Sequence, residues 1–426
     1  MIYKILKIWA NLSFRIYFRR IFLSGVENIP KDAAVLFIVN HPNSFLEACL
    51  VASFQHRELH FLVRGDMFEK KWLKPILKWS NQIPIFRFKD GFSKLKKNKS
   101  TFDESFKVLQ QNKALLIFPE ASTQMVRFLR PLQKGAARLA IGAIEEYQVK
   151  ELYVVPTGVF YTSANKVRSE VLLRFGKPLE IRNWLSKCPE GTDKLTELTQ
   201  DFQNTLDDVM ISIRPDQDSL TFEKLLTLLE PLVLPGKNAG IFTNEQTFVS
   251  LNKLANGFRQ LHGDRLHQIS HEIQSIHHLD PSPVSMVFRL FSSLWMRLIY
   301  AKGMVLLFFA GLPAVIFYGI PFALAKSFTM NKIRHIEFFA PVRLAISMFL
   351  HALVSILLLS VVWNQYGVWF ALVAILLLQM SLYAFVRFLD FSTFLKPLRR
   401  SLDQPLKAHL QGKVKSLYQL IMGEFN

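Results

Sequence analysis

Cysteine is nearly absent from this chain. Its 426 residues include only two, Cys49 and Cys188, which lie far apart and form no spacing typical of a metal site. Neither a disulfide framework nor a bound metal is therefore expected, and the composition fits a reducing compartment. The sequence also lacks internal repeats and low-complexity tracts. Its length predicts two or three structural units.

Acidic residues are few relative to basic ones. Asp and Glu total 33 against 52 Lys and Arg, which gives a formal net charge of +19 and predicts an anionic partner. The chain shows neither a zinc motif nor a basic recognition helix, so we expect no nucleic acid as a partner. Half of the residues are hydrophobic, and the longest apolar stretches follow residue 300. Membrane lipids are the expected partner.

The first residues, MIYKILKIWANLSFRIYFRRIFL, are not expected to form a signal peptide, because cations interrupt the apolar core and no cleavage site of small residues follows. On a helix the polar side chains share one face and apolar ones cover the rest; the polar set is Lys4, Lys7, Asn11, Arg15 and Arg19. This pattern predicts an amphipathic membrane-interface helix over residues 1–30. The alternative is a surface helix packed on its own domain.

Three apolar stretches in the last third are long enough for membrane helices, and they cover residues 303–325, 344–363 and 366–386. Basic residues precede the second and follow the third, which predicts a transmembrane hairpin with both ends in the cytoplasm. The first contains Pro313, Gly319 and Pro321. We therefore predict a re-entrant or interfacial hairpin there.

Between these ends, short apolar runs alternate with helical patterns. The predicted strands are AVLFIV (34–39), LHFLV (59–63), IPIF (83–86), ALLIF (114–118), LYVVPTGVF (152–160) and EVLLRF (170–175). Such alternation predicts a layered α/β domain with a largely parallel central sheet, over residues 31–215. A helical connector (216–300), the membrane region (301–390) and a basic cytoplasmic tail (391–426) are predicted to follow.

Candidate site residues follow the predicted strands, whose carboxyl ends meet at one sheet edge. In NHPNSFLE, His41 precedes Glu47 by six residues, and a histidine beside a carboxylate can activate a hydroxyl as a nucleophile. Arg87 ends IPIFR, and FPEAST supplies Glu120 and Ser122. Taken singly, these residues are also compatible with a turn, a surface ion pair and a helix cap. Further on, a helix start at a glycine suits phosphate and carries Lys134 and Arg138.

Taken in order, these segments resemble the motif blocks of the PlsC-like glycerolipid acyltransferase superfamily. NHPNSFLE resembles the His/Asp block, IPIFR the block that ends in Arg, FPEAST the FPEG block, and VVPTGV (154–159) the block centred on a proline. FGKPLE (175–180) is similar to the strand that ends such domains. The resemblance covers about residues 1–215.

The resemblance implies that His41 is the general base on the acceptor hydroxyl, with Glu47 orienting its ring and no acyl-enzyme intermediate. It also implies that Arg87 binds the acceptor phosphate, that Glu120 and the turn with Ser122 hold the glycerol backbone, and that Pro156 shapes the last wall. From charge and position we add Asn43, Arg64, Lys134 and Arg138 as phosphate or CoA contacts. The implied co-substrate is acyl-CoA or acyl carrier protein, with no further cofactor.

Two positions depart from the usual family pattern. The acid is Glu rather than Asp and lies one residue later, as in the variant spacing of some branches, including fungal-type glycerol-3-phosphate acyltransferases. Ala121 stands where the family usually has Gly, so a turn that needs positive φ would be strained.

The sequence thus predicts an integral membrane acyltransferase whose catalytic domain lies on the cytoplasmic face. The expected acceptor is a phosphorylated glycerol, with 1-acylglycerol-3-phosphate ahead of glycerol-3-phosphate and dihydroxyacetone phosphate; an amino-acid lipid is a further alternative. Two other classes stay open, a catalytically weakened lipid-binding member and a serine hydrolase. The sequence lacks the G-x-S-x-G motif that the last would need.

Overall fold

The structure, a computed structural model, describes residues 2–71, 73–86, 98–234, 240–243, 245–279, 294–395 and 404–422. A nine-stranded mixed sheet forms its first part, with strand order β4-β3-β5-β2-β6-β7-β1-β9 and β8 paired to β6. The strands are β1 Arg20–Ser24, β2 Ala34–Val39, β3 Leu59–Arg64, β4 Gln82–Ile85, β5 Ala114–Ile117, β6 Leu152–Tyr161, β7 Glu170–Phe175, β8 Leu179–Glu180 and β9 Gly240–Thr243. The pairs of β6 with β7 and β8 are antiparallel, and the other pairs are parallel.

Helices cover both faces of this sheet and then continue beyond it. Those before residue 210 are α1 Ile2–Tyr17, α2 Leu46–Ser53, α3 Lys74–Trp79, α4 Asn98–Gln110, α5 Gly135–Glu145, α6 Ile181–Lys187 and α7 Lys194–Asp208. The later ones are α8 Ser219–Val233, α9 Glu245–Arg259, α10 Gly263–Leu279, α11 Leu294–Lys332, α12 Phe339–Tyr366, α13 Val368–Leu395 and α14 Gln404–Met422. The predicted α/β domain followed by helices is therefore confirmed.

The central strand β2 is apolar throughout because both of its faces are covered. Its even-numbered side chains, such as Leu36, pack with α4, α5 and α7 in one core, and its odd-numbered ones, such as Phe37, pack with α1 and α2 in another. Parallel strands buried on both faces read as continuous apolar runs. The loop that follows the carboxyl end of β2 is therefore anchored to a strand that is packed on both faces.

The prediction of a helix through the whole N-terminus is wrong in its second half. Residues 20–24 form β1, which pairs with β7 and β9. Several side chains of the predicted polar face are also bonded within the protein instead of facing outward. Lys7 donates to the carbonyl of Gln55 (2.6 Å) and Asn11 to that of Ser53 (3.0 Å), while Arg19 is buried against Glu170 and Glu230. These side chains instead join α1 to the domain.

The segment predicted as a cytoplasmic tail contains α14, which packs in a helical core. Leu410, Val414 and Leu417 are buried there together with residues of α8, α9 and α10. The tail prediction is therefore wrong for residues 404–422, whose apolar positions recur at helical spacing and are covered by neighbouring helices.

Among the residues that the structure describes, three helices are long and apolar enough to cross a membrane, by length and composition: Arg297–Lys332, Ile336–Tyr366 and Val368–Ser392. Residues 303–325, where the sequence predicts a re-entrant or interfacial hairpin, lie within α11, which is helical through Pro313 and Pro321; the path of this segment in a membrane stays a prediction. It packs closely along α13, where Gly311 lies against the backbone of Phe385. A helix tolerates such prolines when a neighbour satisfies the freed backbone; here the amide of Ala314 donates to Ser381 Oγ (3.0 Å).

Candidate active site

The loop after β2 brings His41 and Glu47 together. The strand ends at Val39, and α2 starts at Leu46, so the pair lies on the turn and the first helical turn. Ser44 makes the reversal with φ 56°, a left-handed conformation that a short polar side chain tolerates better than a branched one. The imidazole thus projects from the carboxyl edge of the sheet toward the carboxylate.

A chain of two hydrogen bonds runs through Glu47. His41 Nδ1 lies 3.2 Å from Glu47 Oε2, and the hydroxyl of Tyr161 donates to Oε1 at 2.9 Å. The Glu47 side chain is fully buried, whereas that of His41 is 14% exposed. A carboxylate only accepts, so Nδ1 carries the proton when Glu47 is ionised and Nε2 is then the basic nitrogen.

Burial and hydrogen bonding act in opposite directions on this carboxyl group. Burial raises the pKa of Glu47, and the hydrogen bonds from His41 and Tyr161 counteract part of that rise. Burial next to Glu47 also raises the pKa of Tyr161 well above its usual range, so the phenol keeps its proton and stays a donor.

The FPEAST segment closes the other side of the histidine. The Phe118 ring stacks on the His41 imidazole with 3.8 Å between centroids and 13° between planes. Glu120 Oε1 accepts from the His41 backbone amide (2.7 Å), and Oε2 accepts from Arg130 Nε (2.7 Å). Arg130 also donates to the Ser122 hydroxyl (2.7 Å) and carbonyl. Glu120 and Ser122 thus join the two predicted motifs into one site.

Ala121 occupies the conformation for which the family pattern uses glycine. Its φ is 58°, and its amide donates to the Phe118 carbonyl (3.1 Å) across a tight turn. The predicted positive φ at this position is therefore confirmed. An alanine in this region costs about 1–2 kcal/mol relative to the right-handed form.

Asn43 lies in the interior rather than in an open pocket. Its side chain is fully buried and donates to the carbonyl of Ala164 (3.2 Å). This hydrogen bond supports the loop, and the predicted contact of Asn43 with phosphate or CoA stays a prediction. Asn40, three residues earlier, also supports the loop: its side chain accepts from the amide (2.7 Å) and donates to the carbonyl (3.0 Å) of Val159.

The remaining cations lie farther out. Arg64 is half exposed and forms an ion pair with Asp66 (2.6 Å), and Lys134 contacts Asp193 (3.3 Å) at the start of α7. Arg138 is exposed on α5. Surface pairs of this kind add little stability, and the roles of all three in binding stay predictions. Arg87 lies outside the described residues.

Two site residues escaped the sequence reasoning. Tyr161 ends β6 two residues beyond the VVPTGV motif, and Arg130 follows FPEAST by seven residues. Tyr161 is 114 residues away from Glu47 in sequence, so only the pairing of β6 with β2 reveals their contact. The usable signal was the position of Tyr161 at the end of a motif-bearing strand.

The fold and the site together define a class of protein. A partly exposed histidine is held by a buried carboxylate at the carboxyl edge of a mostly parallel sheet, and the described part of the chain includes three candidate membrane helices. Such a pair suits removal of a proton from a hydroxyl group. Among the described residues, no three His, Cys, Asp or Glu side chains cluster to hold a metal ion.

Comparison with known proteins supports the predicted resemblance. Residues 20–159 match the family model described as Acyltransferase, in agreement with the resemblance of this segment to PlsC-like glycerolipid acyltransferases. The chain is 30% identical over 125 residues to glycerol-3-phosphate O-acyltransferase 2 of Saccharomyces cerevisiae, which covers 29% of this chain and 17% of that protein. It thus spans less than a fifth of that relative's length.

A shorter bacterial relative is matched over most of its length. The 1-acyl-sn-glycerol-3-phosphate acyltransferase of Bacillus subtilis is 22% identical over 189 residues, which cover 42% of this chain and 87% of that protein. Among solved structures, PlsC, the 1-acyl-sn-glycerophosphate (LPA) acyltransferase of Thermotoga maritima, matches with a TM-score of 0.37 and 15% identity over 49% of this chain and 79% of that one.

Proposed function

We propose that this protein is a membrane-bound O-acyltransferase that moves a fatty acyl group from a thioester onto a hydroxyl of a phosphorylated glycerol. The contact of His41 Nδ1 with Glu47 Oε2 at 3.2 Å carries this proposal. It shows that a glutamate one residue later than the usual aspartate still reaches the imidazole. The match of residues 20–159 to the family model described as Acyltransferase supports the same reaction.

In this reaction the acceptor hydroxyl gives its proton to His41 Nε2 as its oxygen attacks the thioester carbonyl carbon. The tetrahedral intermediate then collapses: the C–S bond breaks, an ester remains on the acceptor, and the thiolate takes the proton from the imidazolium. Glu47 stabilises that imidazolium, because it is a buried anion in contact with Nδ1. The donor is acyl-CoA or acyl carrier protein, both of which are anionic and suit the charge of +19.

The proposed acceptor is 1-acylglycerol-3-phosphate. A lipid acceptor resides in the bilayer, and the membrane helices α12 and α13 contact the same domain that carries His41. The second candidate is glycerol-3-phosphate, because the chain is 30% identical over 125 residues to a yeast protein named for that acceptor. For Arg87 we propose binding of the acceptor phosphate, and for Glu120 contact with the glycerol backbone.

An acceptor panel tests the reaction. The full chain in lipid nanodiscs is supplied with acyl-CoA or acyl carrier protein and with 1-acylglycerol-3-phosphate, glycerol-3-phosphate, dihydroxyacetone phosphate or an amino-acid lipid. We expect ester formation with one phosphorylated glycerol and a loss of at least about 10³-fold in His41→Ala. His56→Ala is the matched control, since His56 is an exposed histidine of the same domain.

Each result has a distinct meaning. If the wild-type protein acylates none of these acceptors but binds them, it is the weakened lipid-binding member and the enzymatic proposal is wrong. If His41→Ala retains wild-type activity, the role of His41 as the base is wrong while the reaction class stands.

A further inference from the structure

One loop connects the candidate active site with the membrane helices. We call residues 162–169, which join β6 to β7, the site loop. It starts directly after Tyr161, whose hydroxyl holds Glu47 at 2.9 Å. Its Ala164 carbonyl accepts the side-chain amide of Asn43 at 3.2 Å, two residues after His41. The inner side of the site loop therefore supports both the carboxylate and the turn that carries the histidine.

The outer side of the site loop is held by α12 and α13. Arg343, near the start of α12, donates to the carbonyl of Asn165 (2.6 Å) and to the hydroxyl of Tyr17 (3.0 Å). Arg168 forms a two-pronged ion pair with Asp390, near the end of α13, with Nε–Oδ1 2.8 Å and Nη2–Oδ2 2.7 Å. The start of α12 and the end of α13 thus both bond to the site loop.

The ion pair of Arg168 and Asp390 is buried and bidentate, unlike an ordinary surface contact. The side chains are 8% and 4% exposed, and a planar two-pronged pair fixes direction as well as distance. Arg168 also has a φ of 63°, a conformation that persists only where surrounding contacts impose it. Its remaining donor bonds the carbonyls at the end of α1, including that of Phe18 (2.7 Å).

We propose that the hairpin α12–α13 is a positioning element of the active site, and that Arg168, Arg343 and Asp390 are positioning residues. Through the site loop they keep Tyr161 and Asn43 in place, and thereby keep Glu47 and His41 aligned. The effect on turnover rests on the function proposed above, whereas the mechanical coupling does not.

Asp390→Asn and Arg343→Met test the proposal in the full chain in nanodiscs. We expect kcat to fall roughly tenfold with KM within about twofold, because a misaligned base affects the transition state more than binding. Amide hydrogen exchange of peptides from the site loop and from residues 40–47 is expected to accelerate in the same variants. Asp390→Glu keeps the charge and should recover most of the lost kcat.

Glu145→Gln is the matched control, because Glu145 forms an exposed ion pair with Lys194 (2.7 Å) away from the site loop. It should change neither kcat nor exchange. Faster exchange in the site loop without faster exchange at 40–47, or with unchanged kcat, would overturn the proposal. If the wild-type protein turns over no acceptor, the proposed function has failed, and exchange at 40–47 alone decides the coupling: acceleration in Asp390→Asn supports it and no change refutes it.

Discussion

At the scale of single residues, the site depends on the contact between His41 and Glu47, whose side chain is one methylene longer than the usual aspartate. Glu47 lies in the first turn of α2, where helical geometry points its side chain back toward the preceding loop. The additional methylene compensates for the later position, since Oε2 reaches Nδ1 at 3.2 Å while Oε1 reaches Tyr161 at 2.9 Å. The departure from the usual spacing is therefore matched by its environment.

Glu47→Asp should reduce activity although it restores the acid that the family usually carries. The shorter side chain withdraws the carboxylate by about 1 Å from His41, and misplacement of that size can lower kcat by about 10²-fold. Steady-state kinetics of the variant against wild type measure this loss, with the exposed Glu58→Asp as the control. Unchanged kcat would show that His41 does not depend on this distance.

Tyr161→Phe removes a donor from a buried carboxylate. A hydrogen bond to a charged group contributes about 1.5–3 kcal/mol, so kcat should fall roughly tenfold or more. The hydrogen bond from Tyr161 lowers the pKa of Glu47, so its loss raises that pKa. Since Glu47 works as the anion, the acid limb of the pH–rate profile should move to higher pH.

The control for this change is Tyr153→Phe, on the same strand but outside the site. It should leave both kcat and the pH profile as they are in wild type. An acid limb that stays in place in Tyr161→Phe would contradict the assigned role of the phenol.

Sequence patterns select His41, Glu47 and Glu120 as candidates because each lies in a short motif that follows a strand, and the structure brings the three together. They do not identify Tyr161 or Arg130, whose roles depend on strand pairing and on a loop that folds back over 8–10 residues. They also do not reveal the bond from Asn43 to the carbonyl of Ala164, because a polar residue in a site motif looks the same whether it faces a substrate or the protein.

At the scale of elements, local patterns predict the strand at the centre of the sheet well but miss β1. The predicted run 34–39 coincides with β2. By contrast, RIFLS follows an amphipathic helix without a glycine or proline between them and reads as its continuation. It becomes β1 because β7 offers a parallel partner, and such long-range pairing overrides local propensity.

The turn of FPEAST allows a test at the same scale. Ala121→Gly should raise the thermal unfolding temperature of the domain, because glycine removes about 1 kcal/mol of left-handed strain at φ 58°. Ala10→Gly, in the helical interior of α1, should lower that temperature, since glycine costs about 1 kcal/mol there. Scanning fluorimetry in detergent compares the two. A lower unfolding temperature in Ala121→Gly would show that the turn is not strained.

At the scale of the whole molecule, exposed apolar surface indicates where we expect lipid to contact the protein. On α1, Ile5, Ile8 and Leu12 are 58%, 62% and 56% exposed along one stripe, beside the exposed cations Lys4 and Arg15. This stripe supports the predicted interface helix, although Lys7, Asn11 and Arg19 turn inward. The three long helices expose further large apolar side chains, such as Trp369 at 77%.

The contacts of these helices with the α/β domain limit how the chain crosses a membrane. Arg343 and Asp390 both contact the domain, so α12 starts and α13 ends on its side. Near the start of α11, Tyr300 packs on Phe391 with 4.8 Å between ring centroids, which places it on that side as well. The six residues between α11 and α12 span at most about 25 Å, which is less than the roughly 30 Å of a bilayer core. Since α12 starts on the side of the domain, we expect α11 to end on that side too.

This geometry predicts the result of single-cysteine labelling in sealed vesicles. With Cys49 and Cys188 replaced by serine, an impermeant thiol reagent should reach Glu190→Cys in the domain and Asn331→Cys near the end of α11 from the same side. Gln365→Cys, at the connection between α12 and α13, should react only from the opposite side, because about 20 helical residues separate it from Arg343. Labelling of Asn331→Cys together with Gln365→Cys would mean that α11 crosses the bilayer. The start of α12 could then not contact the domain as it does here, and the coupling of the hairpin to the site loop would be lost with it.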